Sequence, residues 1–419
     1  MNLRIKSIER IWLDVPYREV PGRNMIRELP HWTIVELCKV TLENGVSGVG
    51  ETMPFYTYCG VTDESVARAQ GEIATEIMWD DSLGSGLQMA LFDAVARTLE
   101  VPVWHLFGEK VRDDAAISWW SIDMSPEDWL LECKEALARG YVSYKFKARP
   151  WFDLDAQLSL VTAETPDHFE IDLDFNTMCN DSAHGGRLLR QWERFHQVKI
   201  YESPIPQGDV AGNKYLRQQT NVPIAMHVGN PPIPTALQED VCDGFVVNGG
   251  ATQVLSEAHI IAAHNKVFWM QLTGTGITAT WSIHLAAVST HARWPAVNCH
   301  NLYQHDLLKH PLTVQGGFAD VPNEPGLTEI DWDVVEKYRI EPISKPYPYP
   351  DLLIQVSYPS GEFDDYAHGL QYWDDFIDGR RPVFMPGVKM EIIPNDGSQE
   401  WRQRYDTALT KPWYEMKPN

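Results

Sequence analysis

The sequence predicts an α/β protein: a (β/α)8 barrel, of the modified TIM type, with an N-terminal α+β capping domain. From about residue 116 onward, short apolar strands alternate with amphipathic segments, giving eight strands and seven connecting helices. The residues before that point instead show period-two strands followed by helical periodicity, the pattern of a separate α+β unit. No Gly-rich GxGxxG turn follows the first strand of the alternating region, which disfavours an open doubly wound sheet.

The elements follow in order. Residues 3–15 alternate as a strand through Leu3, Ile5, Ile8, Ile11 and Leu13, and a loop rich in Pro, Gly and Arg runs from Pro16 to Pro30. Residues 32–42 read as a second strand, Asn44-Gly45 as a hairpin turn, and a third strand reaches Val49. Leu87, Ala90, Leu91, Ala94, Val95 and Leu99 then recur at helical spacing. The eight barrel strands are Ile117–Ile122, Val142–Lys147, Phe169–Asp174, Lys199–Glu202, Pro223–His227, Gly244–Val247, Val267–Met270 and Ala296–Cys299. The first connecting helix starts at Ser125-Pro126 and stops at Gly140, an N-cap followed by proline and a C-terminal glycine. The other helical segments are 154–165, 182–195, 209–219, 233–240, 252–264 and 277–292, with 331–338 as the candidate for the last barrel helix. From about Pro359 the chain is rich in Pro, Asp, Tyr and Trp with little periodicity, as in an extended tail wrapping the body or a neighbouring subunit. The expected domains are 1–114 (capping), 115–358 (barrel) and 359–419 (C-terminal extension).

Composition narrows the function classes. The 419 residues include 35 Lys+Arg and 58 Asp+Glu, a formal charge of −23, which argues against nucleic acid or an anionic membrane as partner. A locally basic pocket for a small anionic substrate stays compatible with that balance. Cys38, Cys59, Cys133, Cys179, Cys242 and Cys299 are scattered without a CxxC pair, as expected of reduced thiols in a cytoplasmic protein. No segment has the apolar length of a signal peptide or a membrane span.

Charged residues at the C-terminal ends of buried barrel strands are the functional signal. In Lys145-x-Lys147 both side chains share one face, and neighbouring ammonium groups depress each other's pKa, so a partly desolvated lysine becomes a base. The bland alternative is a solvated pair at a strand end. Asp174 and Glu202, on adjacent strands, offer an oxygen site for a hard divalent cation, with Mg²⁺ the expected ion. The alternative there is two exposed acids paired with basic residues. His227 ends the next strand, as a ligand or as a hydrogen-bonded neighbour of one.

Together these residues resemble the enolase superfamily, in its mandelate racemase/muconate-lactonising branch. The resemblance runs from about residue 3 to 340. It rests on Asn44-Gly45 with Gly48-Val49-Gly50-Glu51, on Ala90-Leu91-Phe92-Asp93 with Val101-Pro102-Val103, and on Tyr144–Lys147. Asp174-Phe175-Asn176, Tyr201-Glu202-Ser203-Pro204, Asn248–Thr252 and Pro325-Gly326-Leu327 complete it. It implies Lys147 and Lys145 as catalytic groups, Mg²⁺ on Asp174, Glu202 and a third ligand, a small carboxylate substrate, an enediolate intermediate and a homo-oligomer. The chain departs from the pattern in three places. His227 stands at one of the two places where the third acidic ligand occurs. The seventh strand and its exit, Trp269–Thr275, lack the histidine that would pair with Asp243. Finally, Phe245–Asn248 lacks the lactonising lysine. His300 and His305, in the polar segment at the eighth strand, are the remaining general-acid candidates. Asn176, Arg18, Arg23, Arg27, Tyr56, Tyr58 and Gln271 are the candidate substrate contacts. With the opposite-face base missing, dehydration of a sugar acid is the expected reaction. Racemisation or epimerisation, cycloisomerisation and a non-catalytic binding protein are the alternatives.

Overall fold

The computed structural model describes residues 2–56 and 60–411. Strands β1 (Ile5–Asp14), β2 (Ile34–Leu42) and β3 (Ser47–Thr52) form an antiparallel sheet in chain order. The hairpin between β2 and β3 turns at Asn44-Gly45, where Gly45 takes φ +87° and Asn44 Oδ1 accepts from the Val46 amide at 3.0 Å. Helix Ser85–Leu99 lies across β3 so closely that a Cβ on Gly48 would sit 2.2 Å from the Ala94 nitrogen, and one on Gly50 2.2 Å from the Gly86 carbonyl oxygen. Asp93 of that helix ties three segments together, accepting from Val49 N, Leu327 N and Arg97 Nε at 2.8, 2.6 and 2.8 Å. The segment from Pro16 to Pro30, expected as a loop, contains a short helix, Glu19–Met25. Tertiary ion pairs to the barrel, described below, hold that turn of helix despite Pro21 and Gly22.

The barrel consists of β4 (Asp114–Ser121), β5 (Ser143–Lys147), β6 (Glu170–Asp174), β7 (Val198–Glu202), β8 (Ile224–His227), β9 (Gly244–Val247), β10 (Val267–Met270) and β11 (Ala296–Val297). Strands β4 to β10 pair in sequence and in parallel. The cylinder closes where β11 pairs with β4 and where Gln271 bridges Val297. Strands buried on both faces must be largely apolar, and seven tryptophans, Trp119 and Trp269 among them, are fully buried in the body of the protein. Five of the cysteines, all but Cys59, are buried free thiols; Cys59 lies outside the described residues.

The segment 331–338, expected as the last barrel helix, does not fill that place. After β11 the chain forms a hairpin of β12 (Val314–Gln315) and β13 (Phe318–Asp320), and β13 pairs antiparallel with β4. Helix Trp332–Tyr338 packs instead on β1 of the capping sheet, with Val335 buried and Trp332 under the Lys39 ammonium, 4.9 Å from the ring centroid. Strand β14 (Arg339–Ile340) then joins the edge of β1, pairing Trp12 with Ile340. The closed barrel therefore has eight strands and seven flanking helices.

The C-terminal segment is also more ordered than its weak periodicity predicts. Strands β15 (Leu353–Ser357), β16 (Phe363–Tyr366) and β17 (Lys389–Ile393) form an antiparallel sheet carrying helices Gly369–Ile377 and Gln399–Leu409. Leu353, Ala367, Trp401, Tyr405 and Ala408 make a small core of its own. Strands of four or five residues are too short to show a clear alternation, so the sequence reads as irregular. Among the described residues no helix is long and apolar enough to cross a membrane.

Candidate active site

Side chains alternate along β5, so Lys145 and Lys147 point into the barrel mouth together. The parallel register aligns Lys147 with Asp174 on β6, and Asp174 with Glu202 on β7. The chain turns sharply after each acid, Asn176 at φ +42° and Ser203 at φ +44°, conformations that cost energy for non-glycine residues and recur at functional strand ends. Lys147 Nζ lies 2.5 Å from Asp174 Oδ2 and 2.8 Å from Asn176 Oδ1. Lys145 Nζ lies 2.5 Å from Glu202 Oε2, 3.2 Å from Asp174 Oδ2 and 2.5 Å from Gln271 Oε1. Asp174 Oδ1 accepts from the Asn176 amide at 3.0 Å. His227 Nε2 is 3.0 Å from Glu202 Oε1.

Burial and charge separate the two lysines. Burial opposes the charge on Lys145, but Glu202, then Asp174 and Asp172, hold its pKa above the usual lysine value. Lys147 goes the other way: burial, with Lys145 and Arg149 nearby, outweighs Asp174 and lowers its pKa. Burial works against Asp174, yet Lys147, Lys145 and Arg149 keep it well below the carboxylate range. Asp172, one layer deeper on the same face, is raised well above that range by burial and by Glu202. The arrangement thus raises the pKa of one lysine and lowers that of its neighbour, the difference that separates an electrostatic role from that of a base.

Asp174 and Glu202 fit a hard divalent cation. Both are fully buried, and a single ammonium group already bridges them. Mg²⁺ is commonly held by one or two carboxylates, with waters and substrate oxygens completing the shell. The expected third ligand is not present in that form. His227 offers nitrogen and is engaged with Glu202, and among the described residues no group of three or more His, Cys, Asp or Glu side chains is arranged to hold an ion.

Several candidates fall elsewhere. His300 is buried against Tyr141, with Nε2 2.7 Å from the phenol oxygen, and His305 accepts from the Leu307 amide; both line a separate groove beside Trp119. Cys299, at φ +59°, turns the chain so that His300 leaves the mouth. Arg18 pairs with Glu132 and donates to the Asn301 carbonyl, Arg23 pairs with Asp128, and Arg27 is buried against Asp123. These arginines fasten the first capping loop to the barrel and line neither cavity at the mouth. Asp243 sits at the start of β9, bonded to Arg217 Nε and the Ile224 amide at 2.9 Å each, away from the mouth. Tyr58 lies outside the described residues.

Two cavities share Tyr56, Gln271 and Thr273 as a common wall. The first extends over β8–β10 past His227 and Asn248 to Glu51 and Gln88 of the capping domain. Glu51 latches the two domains, accepting from Thr275 N and Thr278 Oγ1 at 2.6 Å each. The second holds Lys147, Arg149 and Asn176 among Trp32, Trp120 and Trp373, with Glu28 and Cys299 in its wall. Arg149 continues the alternation of Lys145 and Lys147 but lies past the end of β5, where the strand pattern no longer places it. Its Nη2 donates to Asn176 Oδ1 at 2.6 Å and its Nη1 to the Asp174 carbonyl at 3.1 Å. Glu28 and Trp373 carry no sequence signal at all, since only tertiary contacts bring them to the mouth.

The enolase C-terminal domain-like family model matches residues 128–334. D-gluconate dehydratase of Thermoproteus tenax is 26% identical over 292 residues, 62% of this chain and 57% of that protein, so the chain spans little more than half of that relative's length. Muconate cycloisomerase 1-2 of Acinetobacter lwoffii is 25% identical over 379 residues, 80% of this chain and 96% of that protein. In fold, the chain is similar to a solved enolase from Thermobispora bispora DSM 43833 complexed with magnesium and formate. The TM-score is 0.66 at 17% identity, over 80% of this chain and 92% of that one.

Proposed function

We infer that the chain belongs to the enolase superfamily, in its mandelate racemase/muconate-lactonising branch, and is an enzyme of it; from that premise we propose that it dehydrates a sugar acid by removing the proton α to the carboxylate. The observation that carries this reading is the one-sided mouth. Two lysines and two carboxylates stand on β5–β7, while Gln271, Thr273 and Cys299 opposite them are neutral or hold no base. Lys147, held by Asp174 and Asn176, first gives its own proton to solvent and then, as the free amine, takes the α proton. The electrons of the Cα–H bond form the Cα=Cβ bond as the β-hydroxyl leaves. The same amine returns the proton to that hydroxyl, so water departs and the resulting enol tautomerises to a 2-keto-3-deoxy acid. Lys145 stays cationic beside the developing carboxylate charge. A divalent cation bound at Asp174 and Glu202 supplies further positive charge to the substrate carboxylate. Tyr56 and Gln271 remain the substrate contacts we assign to the mouth.

A second reading, cycloisomerisation, is favoured by the near full-length match to a cycloisomerase. Against it, β9 carries Val246 and Val247 where the lactonising type has its lysine. Incubating the Mg²⁺-loaded protein with a panel of sugar acids and muconates decides between them. The expected result is a 2-keto-3-deoxy acid from at least one sugar acid. Lactone formation, inversion without loss of water, or no product contradicts dehydration.

A further inference from the structure

We infer that the C-terminal unit is part of the substrate site and that it selects a polyhydroxylated monocarboxylate over a dicarboxylate. This rests on the sugar-acid reading above. Helix Gly369–Ile377 places Trp373 in the wall of the cavity that holds Lys147. Two neighbours hold the ring: the Arg149 guanidinium lies 4.7 Å from its centroid, and Trp151 packs at 5.5 Å. Trp32 and Trp120 line the same cavity, their rings stacked at 5.7 Å. Flat rings of this kind carry the C–H faces of a polyol chain at little entropic cost.

The neighbouring residue on the helix sets the polar end of that wall. Buried Tyr372 donates to Glu28 Oε1 at 2.7 Å and accepts from Arg27 Nη1 at 3.1 Å. Tyr349, just ahead of the C-terminal sheet, donates to the Glu28 carbonyl at 3.0 Å. The capping loop is thereby pinned with Glu28 in the cavity wall. A carboxylate there accepts from substrate hydroxyls and repels a second carboxylate. Arg149 in the same cavity keeps its positive charge, since the Asn176 Oδ1 and the Asp174 carbonyl it donates to are neutral. Arg27 Nη1 lies 3.7 Å from Glu28 Oε1. The two guanidiniums temper that repulsion, and Glu28→Gln reads what is left of it. Trp373 is a contact surface and Tyr372 a positioning residue that acts through Glu28.

The full chain with Trp373→Ala, Trp373→Phe and Glu28→Gln tests this, with a thermal melt as a control for folding. KM and kcat are measured for aldonates and aldarates, and aldonate binding is measured by calorimetry in a Lys147→Ala background. Trp373→Ala is expected to raise KM and the background Kd about tenfold, with kcat falling less than KM rises, and Trp373→Phe to lie between. Glu28→Gln is expected to narrow the preference for aldonate over aldarate about tenfold. Aldonate binding indifferent to both Trp373 variants, or no aldonate binding, overturns the inference. So does an aldarate preference that Glu28→Gln leaves in place. Should Trp373→Ala fail to fold, the Phe and Gln variants decide. Turnover without any dependence on Trp373 sinks the inference alone, whereas Trp373-dependent binding without dehydration sinks the proposed reaction and upholds the wall.

Discussion

The two sides of the barrel mouth differ in kind. On β5–β7, every inward residue of the last layer is charged and bonded to its neighbour: Lys147 to Asp174, and Lys145 to Asp174 and Glu202. On β10–β11 the same level presents Gln271, Thr273 and Cys299, and the histidines that follow turn away to Tyr141 and to the backbone. A cluster of four charges tolerates burial only when each is paired. One side has met that requirement and the other has avoided it. The difference supports the proposed reaction, in which proton transfer is confined to one face of the substrate and elimination is favoured over inversion.

Removing the base breaks the comparison hardest. Lys147→Ala is expected to lower kcat/KM by about 10³ on the sugar acid identified, read by steady-state kinetics. Next comes the charge pairing itself. Asp174→Asn leaves two ammonium groups facing one buried carboxylate and is expected to cost about 3 kcal/mol of stability in urea unfolding. The same variant is expected to abolish the proposed Mg²⁺ uptake, read by calorimetry.

The neutral side has its own signature in acid. Burial holds His300 at about 4, and burial likewise holds His284 at about 4, despite its bond to the Leu327 carbonyl. Below about pH 6.5 the unfolded chain binds protons at these sites that the folded chain does not, so stability is full above that pH and falls as the pH drops toward 4. Acid unfolding of the wild type, compared with His300→Gln, is expected to show a loss on the order of 3 kcal/mol across that window for this site. A mid-window midpoint unchanged by the substitution contradicts a buried neutral imidazole. The smallest effect belongs to His305→Ala, expected to change kcat/KM less than about twofold, as for a surface substitution away from the site.

The charged side was legible in the sequence because buried parallel strands should be apolar. Lysines and acids at their ends stand out, and adjacent strands are neighbours in space. Alternation and register then bring Lys145, Lys147, Asp174 and Glu202 together without further information. The neutral side is not legible in the sequence, for a local reason. The polar run after β11 looked like a strand end, but the left-handed turn at Cys299 redirects it. Helix Trp332–Tyr338 was visible as a helix, yet its pattern does not say which surface Val335 covers, and that surface is β1. Trp373 and Glu28 come to the cavity from opposite ends of the chain, so only the folded molecule places them.

Exchange of the substrate's α proton with solvent deuterium, followed by NMR on wild type and Lys147→Ala with Mg²⁺ present, tests the central claim most directly. Deuterium entering the α position or the product in the wild type, and falling about 10³-fold in Lys147→Ala, is the predicted result. Equal exchange in both proteins would place the base elsewhere and contradict the account.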